Sequence, residues 1–481
     1  MILTGISILG SSRVLVVQAS THDGSAIVQF PLQQANAYPL GITVDEHGHV
    51  WFAEANTDLL IEFFPNNQSY ASYPIPTEPH LAMIWYLVFD QFGNLWFADP
   101  VQPMIWRFNP ITRQFANFTT GDPNLKPYAL VYDPTLEMMW FTSVYSNQIG
   151  AFRISSSGTA QIETSINLPS GNGQNTGPSG IAIDASVNIF ISESFAAKIV
   201  EYDPGSRSFV HVWSLPSGSQ PVGIVVDQQS GLVWFANHAT SLFGFVNMSS
   251  GSVTQIATSL FQESVGTQIS TTISLPYWLA LSSSGQIWFD EHYANRIARF
   301  DPSTFELVEF QVPSNNSQPL RFQIDHATGQ FWFTEFAGNN LGVINLNATG
   351  DRITVSPSHV YLSFAETSFV VNLPLVQINN ESLSGSLNYD GFLTSNLTFA
   401  FSSVNSTATK VEIRRGSDLN PGNYTLTVCP NTESLSKSCS VLFLGVSRTG
   451  IQDEYAIYIE ATIVVVAAAV VSILYARRWR R

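Results

Sequence analysis

Between residues 275 and 313 the chain reads LPYWLALSSSGQIWFDEHYANRIARFDPSTFELVEFQVP, with apolar and polar residues alternating in four short runs. The alternation has a period of two, which marks half-buried strands and not a helix. Strands are expected over 278–281, 286–289, 296–300 and 306–312. The joins Ser-Ser-Ser-Gly, Tyr-Ala-Asn and Asp-Pro-Ser-Thr have turn chemistry. The block recurs along the chain. Its second strand centres on Trp51-Phe52, Trp96-Phe97, Trp140-Phe141, Phe190-Ile191, Trp234-Phe235, Trp288-Phe289 and Trp332-Phe333, at spacings of 45, 44, 50, 44, 54 and 44 residues. An apolar strand, often closed by Asp, precedes each: PLGITVD, WYLVFD, PYALVYD, PSGIAID, PVGIVVD, PYWLALS and PLRFQID. Four strands per unit, repeating near every 44 residues, predict an all-β fold: a β-propeller with seven blades.

The last unit supplies three strands, 321–325, 331–336 and 341–346, and then leaves the pattern. Residues 26–32 (AIVQFPL) form an orphan strand at the other end of the propeller segment, 25–348. Pairing the two completes blade seven and removes an open edge.

Beyond the repeat, 351–450 continues in short alternating runs (VYLSFAE, SFVVNLPLVQI, LTFAFSSV, KVEIRR, YTLTVCP, SVLFLGV). The stretch PGNYTLTV resembles the penultimate strand of immunoglobulin-like modules, so a small Ig-like β-sandwich stalk is expected there. Residues 456–475, AIYIEATIVVVAAAVVSILY, have the length of one bilayer crossing, and Arg477, Arg478, Arg480 and Arg481 follow. The positive-inside rule makes 456–476 a single-pass anchor, with 477–481 cytoplasmic and the bulk of the chain extracellular. Residues 1–20 end in Val-Gln-Ala before Ser20, a small-residue cleavage pattern for a signal peptide. Arg13 interrupts the apolar run, however, and a misassigned start is the other reading.

Composition narrows the partners. A net charge of −16 offers nothing to neutralise phosphates, so nucleic acid is not expected. An extracellular setting agrees with nine Asn-X-Ser/Thr glycosylation acceptors: Asn67, Asn117, Asn247, Asn315, Asn347, Asn380, Asn396, Asn405 and Asn423. It also agrees with a disulfide between the two cysteines, Cys429 and Cys439.

In each blade the first strand's start and the second strand's end share one rim. The second strands end in Glu54, Asp99, Ser143, Glu193, Asn237, Glu291 and Glu335. Five carboxylates there could form a cation site or a negative funnel, or each could simply accept local hydrogen bonds. Trp85, Tyr128, Tyr277 and Trp278 bring rings that could stack on sugars or apolar ligands, or pack around a narrowed channel. His238 and His292 fall on the rim and read as solvated loop residues. His47 and His49, in the opposite turn, read as surface, and Arg107, Arg153 and Arg299 read as blade-to-blade contacts.

The units QPVGIVVD…GLVWFAN, LPYWLALSSSGQIWFDEHYANRIARF and PLRFQIDHATGQFWFTEFAGNNLGVI resemble the repeats of streptogramin B lyases, the virginiamycin B lyase family. The resemblance covers about residues 25–347. It implies a seven-bladed enzyme that opens a cyclic depsipeptide by elimination, using Mg²⁺, a His base and Glu residues near the metal. In that family the functional residues sit where Pro-His opens a first strand. This chain has Leu40, Trp85, Tyr128, Ser179, Val222, Tyr277 and Leu320 there, and no His. Glu78-Pro79-His80 lies just before blade two's first strand, and Asp99 closes its second, so these three could hold Mg²⁺ or Ca²⁺ with Glu78 and His80 catalytic. Two functions follow: a membrane-anchored binder of a protein, peptide or glycan at the rim, or a Mg²⁺-dependent lyase.

Overall fold

The computed structural model describes residues 26–348, apart from 77–82, 101, 170–174, 217, 239–241, 259–260, 266–267, 273 and 305. Outside that span it describes 15–16 and the strands between 351 and 447. Among the described residues every regular element is a β-strand. The seven expected blades appear as seven antiparallel meanders, an all-β seven-bladed propeller. The block at 276–311 shows how well the period-two reading works. Its strands are Pro276–Leu281, Ile287–Glu291, Arg296–Asp301 and Glu306–Gln311, paired in order.

Blade 7 closes as expected. Ile27–Pro31 pairs antiparallel with Asn340–Asn345, and that strand continues through Gln330–Glu335 to Pro319–Asp325. Gln29 lies in the clasping strand and donates both ways of its Nε2 to Glu335, 2.6 Å to Oε1 and 2.7 Å to Oε2.

The chain packs as two compact units. One comprises Met1–Trp140, Ala151–Glu163 and Pro313–Ala348, and the other Phe141–Gly150, Thr164–Val312 and Thr349–Arg481. Within each, the second-strand aromatics fill the layer between successive blades. In the first unit, Trp51 and Leu60 of blade 1 pack with Leu95, Phe97 and Phe108 of blade 2. Phe52 and Phe63 pack with Phe30 and Trp332 of blade 7. In the second, Trp234 and Phe243 of blade 5 pack with Phe289 and Phe300 of blade 6. Trp51, Trp96, Trp234, Trp288 and Trp332 are all fully buried. A buried ring of this size contributes a few kcal/mol by leaving water, which is why the Trp-Phe pair is the most regular feature of the repeat.

The Pro-x-Gly that opens several blades has a steric cause. A Cβ on Gly41 would sit 2.9 Å from the Ile84 carbonyl oxygen, and one on Gly223 would sit 2.8 Å from Tyr277 O and Trp278 Cα. First strands of neighbouring blades therefore approach backbone to backbone. The Gly41 amide donates to Ile84 O at 2.9 Å across that gap.

Two features lie off the repeat. The long 54-residue interval between Trp234 and Trp288 contains an extra hairpin, Phe261–Val265 with Gln268–Thr272. Asp351–Thr354, expected to open the stalk, pairs with Glu306–Glu309 as a fifth strand on blade 6. Beyond it stand a five-stranded sheet, with His359–Ser363 parallel to Ser440–Ser447, and a three-stranded sheet of Ser368–Leu373, Ala408–Arg415 and Leu397–Asn405. Among the described residues no helix is long and apolar enough to cross a membrane. The expected anchor 456–476, the tail 477–481 and all of the expected signal but 15–16 lie outside the described residues, as do Cys439, Asn380 and Asn396.

Candidate functional site

Register places the strand-opening proline opposite the residue that closes the second strand. The pairs are Pro39 with Glu54, Pro178 with Glu193, Pro221 with Asn237, Pro276 with Glu291 and Pro319 with Glu335. A register shift follows each pair, because the proline has no N–H to donate and the chain bulges past it. So the expected shared end exists in every one of these blades.

The closing residues are buried. Glu54, Asp99, Glu193, Glu291 and Glu335 are at most 3% exposed. Glu54 accepts from Thr57 Oγ1 at 2.5 Å, and burial still lifts its carboxyl to about 7. Glu335 accepts from Gln29 and, at 2.9 Å, from Asn340 Nδ2; burial raises it, and these bonds oppose the rise. Ser143 accepts from Ser146 at 2.7 Å, and Asn237 Oδ1 from the Gln220 amide at 2.7 Å. Glu291 is pushed well above the carboxylate range, first by burial and then by the Glu309 carboxylate; Arg296 opposes the shift. Arg296 itself donates to Glu309 at 2.7 Å.

In the first unit, Trp85 and Tyr128 have ring centres 6.4 Å apart, and Tyr86 meets Tyr128 edge-on at 5.7 Å. The Arg321 guanidinium lies 4.0 Å over the Tyr86 ring. Glu78 and His80 lie outside the described residues, so nothing places them beside Asp99.

In the second unit, blades 5 and 6 bring together His238, Tyr277, Trp278 and His292. The two imidazoles stack at 5.1 Å and 23°. Tyr277 stands edge-on to both, at 4.7 Å from His238 and 5.8 Å from His292, and Trp278 is 6.3 Å from Tyr277. Asp290, fully buried, accepts from the Trp278 amide at 2.6 Å, and its other oxygen lies 4.0 Å from His292 Nδ1. The Nδ1 atoms of both histidines are buried and have no hydrogen-bond partner among the described residues.

This corrects the reading of His238 and His292 as solvated loop residues: the His292 side chain is only 14% exposed. Burial drives His238 down to about 3, with His292 adding to the shift. Burial drives His292 down to about 4, against a hydrogen bond with the Leu275 backbone. Both imidazoles are neutral at physiological pH. The signal for this pair was in the sequence, since each follows its closing residue in adjacent blades, at one and the same repeat position.

The arginines divide. Arg107 bonds the Gly158 carbonyl of blade 3, a blade-to-blade contact as expected. Arg153 instead pairs with Glu163 of its own blade at 3.3 Å. Arg299 lies over Trp288 and Phe310 of its own blade, at 5.4 and 5.8 Å. An outward-facing guanidinium covers its own blade's rings more readily than it reaches a neighbour.

Fold and site together define a seven-bladed β-propeller with aromatic and imidazole side chains at the Pro-opened end of its blades. The virginiamycin B lyase family model matches residues 25–259. Virginiamycin B lyase from Staphylococcus aureus is 22% identical with a TM-score of 0.56, covering 66% of this chain and 98% of that one. A catalytically inactive histidine-to-alanine variant of that enzyme, solved with quinupristin, is 21% identical with a TM-score of 0.55, over the same 66% and 98%. Hydrazine synthase from Kuenenia stuttgartiensis aligns at 11% identity and TM-score 0.54, over 69% of this chain and 100% of that one. At these identities the likeness is one of fold, shared by proteins of unlike chemistry. No curated protein matches the sequence.

Proposed function

We propose that this chain is a ligand-binding propeller whose binding surface is the His238–Tyr277–Trp278–His292 cluster. Its ligand is a neutral molecule presenting a flat face to the half-buried rings of Tyr277 and Trp278, such as a glycan or a cyclic peptide. The observation that carries this reading is the ring cluster at the Pro-opened end, where half-buried Tyr277 and Trp278 are backed by two neutral, stacked imidazoles. A general base works best with a pKa near the operating pH, and imidazoles held at about 3 and 4 are poor proton acceptors at neutrality. In addition, Leu40, Val222, Tyr277 and Leu320 follow the opening prolines where the lyase pattern calls for His.

The setting we propose is the outer face of a membrane. An Ig-like stalk over 351–450 would carry the propeller, a span at 456–476 would anchor it, and a Cys429–Cys439 bridge and sugars on the Asn-X-Ser/Thr acceptors would belong to the exposed part. The uncharged run 461–475 followed by four arginines supports this.

The second reading, a Mg²⁺-dependent lyase using Glu78, His80 and Asp99, is favoured by the family match, which spans those residues. One experiment separates the two. Quinupristin and a panel of neutral oligosaccharides are titrated into the full chain, with and without Mg²⁺, while ring opening is followed by mass spectrometry. The binding reading expects metal-independent affinity for a panel member, lost in Tyr277→Ala and in His292→Ala, with no product. Mg²⁺-dependent linearisation of quinupristin that disappears in His80→Ala would establish the lyase instead.

A further inference from the structure

Blade 1 carries a second cluster, at the turn between Pro39–Val44 and Val50–Glu54, away from the Pro39–Glu54 end. We propose that Asp45, His49 and Glu62 bind one divalent first-row transition-metal ion, of the zinc or manganese kind. Asp45, His49 and Glu62 each offer one ligand atom, and the three lie within 4.8 Å of one another. His49 Nδ1 is 3.0 Å from the Glu62 oxygen and 3.4 Å from the Asp45 oxygen. Donors that share an ion at roughly 2.0–2.2 Å stand about that far apart. One imidazole with two carboxylates is a mixed nitrogen–oxygen set. It suits zinc or manganese better than the all-oxygen cages of calcium and magnesium.

The outer shell is already built. Asp45 Oδ1 accepts the amides of His47 and His49, each at 2.9 Å, and Asp45 Oδ2 accepts the Trp51 indole N–H at 2.9 Å. The Tyr73 hydroxyl donates to Glu62 Oε2 at 2.7 Å, which leaves Oε1 turned to the imidazole. Phe64 holds the His49 ring edge-on at 4.6 Å. Outer bonds of this kind fix the direction of metal ligands. The side chains of Asp45, His49 and Glu62 are 13%, 28% and 11% exposed, so an ion can enter and retain water.

The other blades act as internal controls. Blades 2 and 4 tie the same turn with an amide: Asn94 Nδ2 to Asp90 at 2.9 Å, and Asn188 Nδ2 to Asp184 at 3.1 Å. The turn therefore needs no imidazole. Where blade 1 has Glu62 opposite Trp51, blade 2 has Arg107 opposite Trp96, and blade 6 has Arg299 opposite Trp288. A guanidinium there would repel a cation. The ligand set belongs to blade 1.

Zn²⁺ and Mn²⁺ are each titrated into the full chain, followed by calorimetry and by thermal melting. At least one is expected to bind with one saturable equivalent and to raise the melting temperature, as ligation of the folded state alone must. His49→Asn copies the residue of blade 2, keeps the turn's bond to Asp45, and should abolish that equivalent. Tyr73→Phe should keep the fold and weaken binding about ten- to hundred-fold. The doubly substituted His238→Gln, His292→Gln chain should retain the equivalent, which separates this site from the rim imidazoles. Absence of saturable binding, or binding unchanged in His49→Asn, overturns the proposal.

Discussion

The guanidinium of Arg321 lies 4.0 Å above the ring of Tyr86, although one opens blade 7 and the other enters blade 2. The first strand of blade 1, Pro39–Val44, touches the first strands of both blades, and at the corresponding position it carries Gly41. Arg321 is 5% exposed and Tyr86 is 5% exposed, so the pair is desolvated, the setting in which a cation–π contact is strongest. A double-mutant cycle of Arg321→Leu and Tyr86→Leu, followed by chemical unfolding, should give a coupling of about 1–2 kcal/mol. Additive single effects would mean that the two are only neighbours.

The rim histidines make a prediction about acid. Their folded pKa values, about 3 and about 4, lie below the ordinary 6.5. From pH 6.5 down to about 4 for His292, and down to about 3 for His238, the unfolded chain therefore binds protons that the folded chain refuses. Their contribution is intact above pH 6.5 and is lost as pH falls through that window. At pH 5 the loss is of the order of 2 kcal/mol for each. Melting of His292→Gln against the parent, at pH 7.5 and pH 5, should show a smaller acid-induced drop in the variant.

Glu54 has the opposite sign. Its folded carboxyl sits at about 7, above the ordinary 4.5, so the folded state holds a proton that the unfolded chain has released. Stability from this group is greatest below pH 4.5 and declines as pH rises to about 7. Glu54→Gln keeps an acceptor for Thr57 and removes the titration. It should gain on the parent by about 3 kcal/mol at pH 8 and by much less at pH 5. An equal gain at both pH values would place the cause elsewhere.

Gln29 links the clasping strand to a buried acid. Replacing it with Leu keeps the strand pairing Ile27–Pro31 with Asn340–Asn345 but removes two donors from Glu335, which is fully buried. A loss of about 1–3 kcal/mol is expected in unfolding, most of it recovered by adding Glu335→Gln. Failure of the second substitution to rescue would show that Glu335 does not depend on Gln29.

Steric predictions are sharper still. An added methyl at Gly180 would run into the Val222 carbonyl, whereas at Gly285 it would meet nothing within 4 Å. Gly285 has φ +81, so Gly285→Ala costs only the left-handed backbone, about 1 kcal/mol. Gly180→Ala must push two first strands apart and should cost about 3 kcal/mol or more. Comparable melting of the two variants would contradict the close-approach explanation.

The blades were legible because each repeat states its own strands and turns. The Trp-Phe centres and the prolines report local pattern and burial, and even the closing strand could be placed by counting. What the sequence hid depends on contacts between repeats. His238 and His292 look like loop residues singly; only the stacking of two blades at one repeat position encloses them. Arg321 reads as an ordinary departure from Pro-x-Gly until the ring of Tyr86, from another repeat, is found beneath it. Asp45 and His49 lie in a turn of polar residues, and Glu62 becomes their neighbour only through its pairing with Trp51. Carboxylates at the ends of the second strands were visible, but their burial was not, because it depends on residues far off in the chain, as Glu335 does on Gln29.

Within the propeller, the ribosome makes the strand Ile27–Pro31 first and its partner Asn340–Asn345 last. Through most of synthesis the opening ribbon has nothing native to hold, and the seventh sheet cannot exist in any emerging fragment. The blades between can gather as they emerge, but the final snap is reserved for the finished domain. A chain cut short before residue 340 should consequently be left with a loose leading ribbon, a natural mark by which quality control could tell an incomplete product from a complete one.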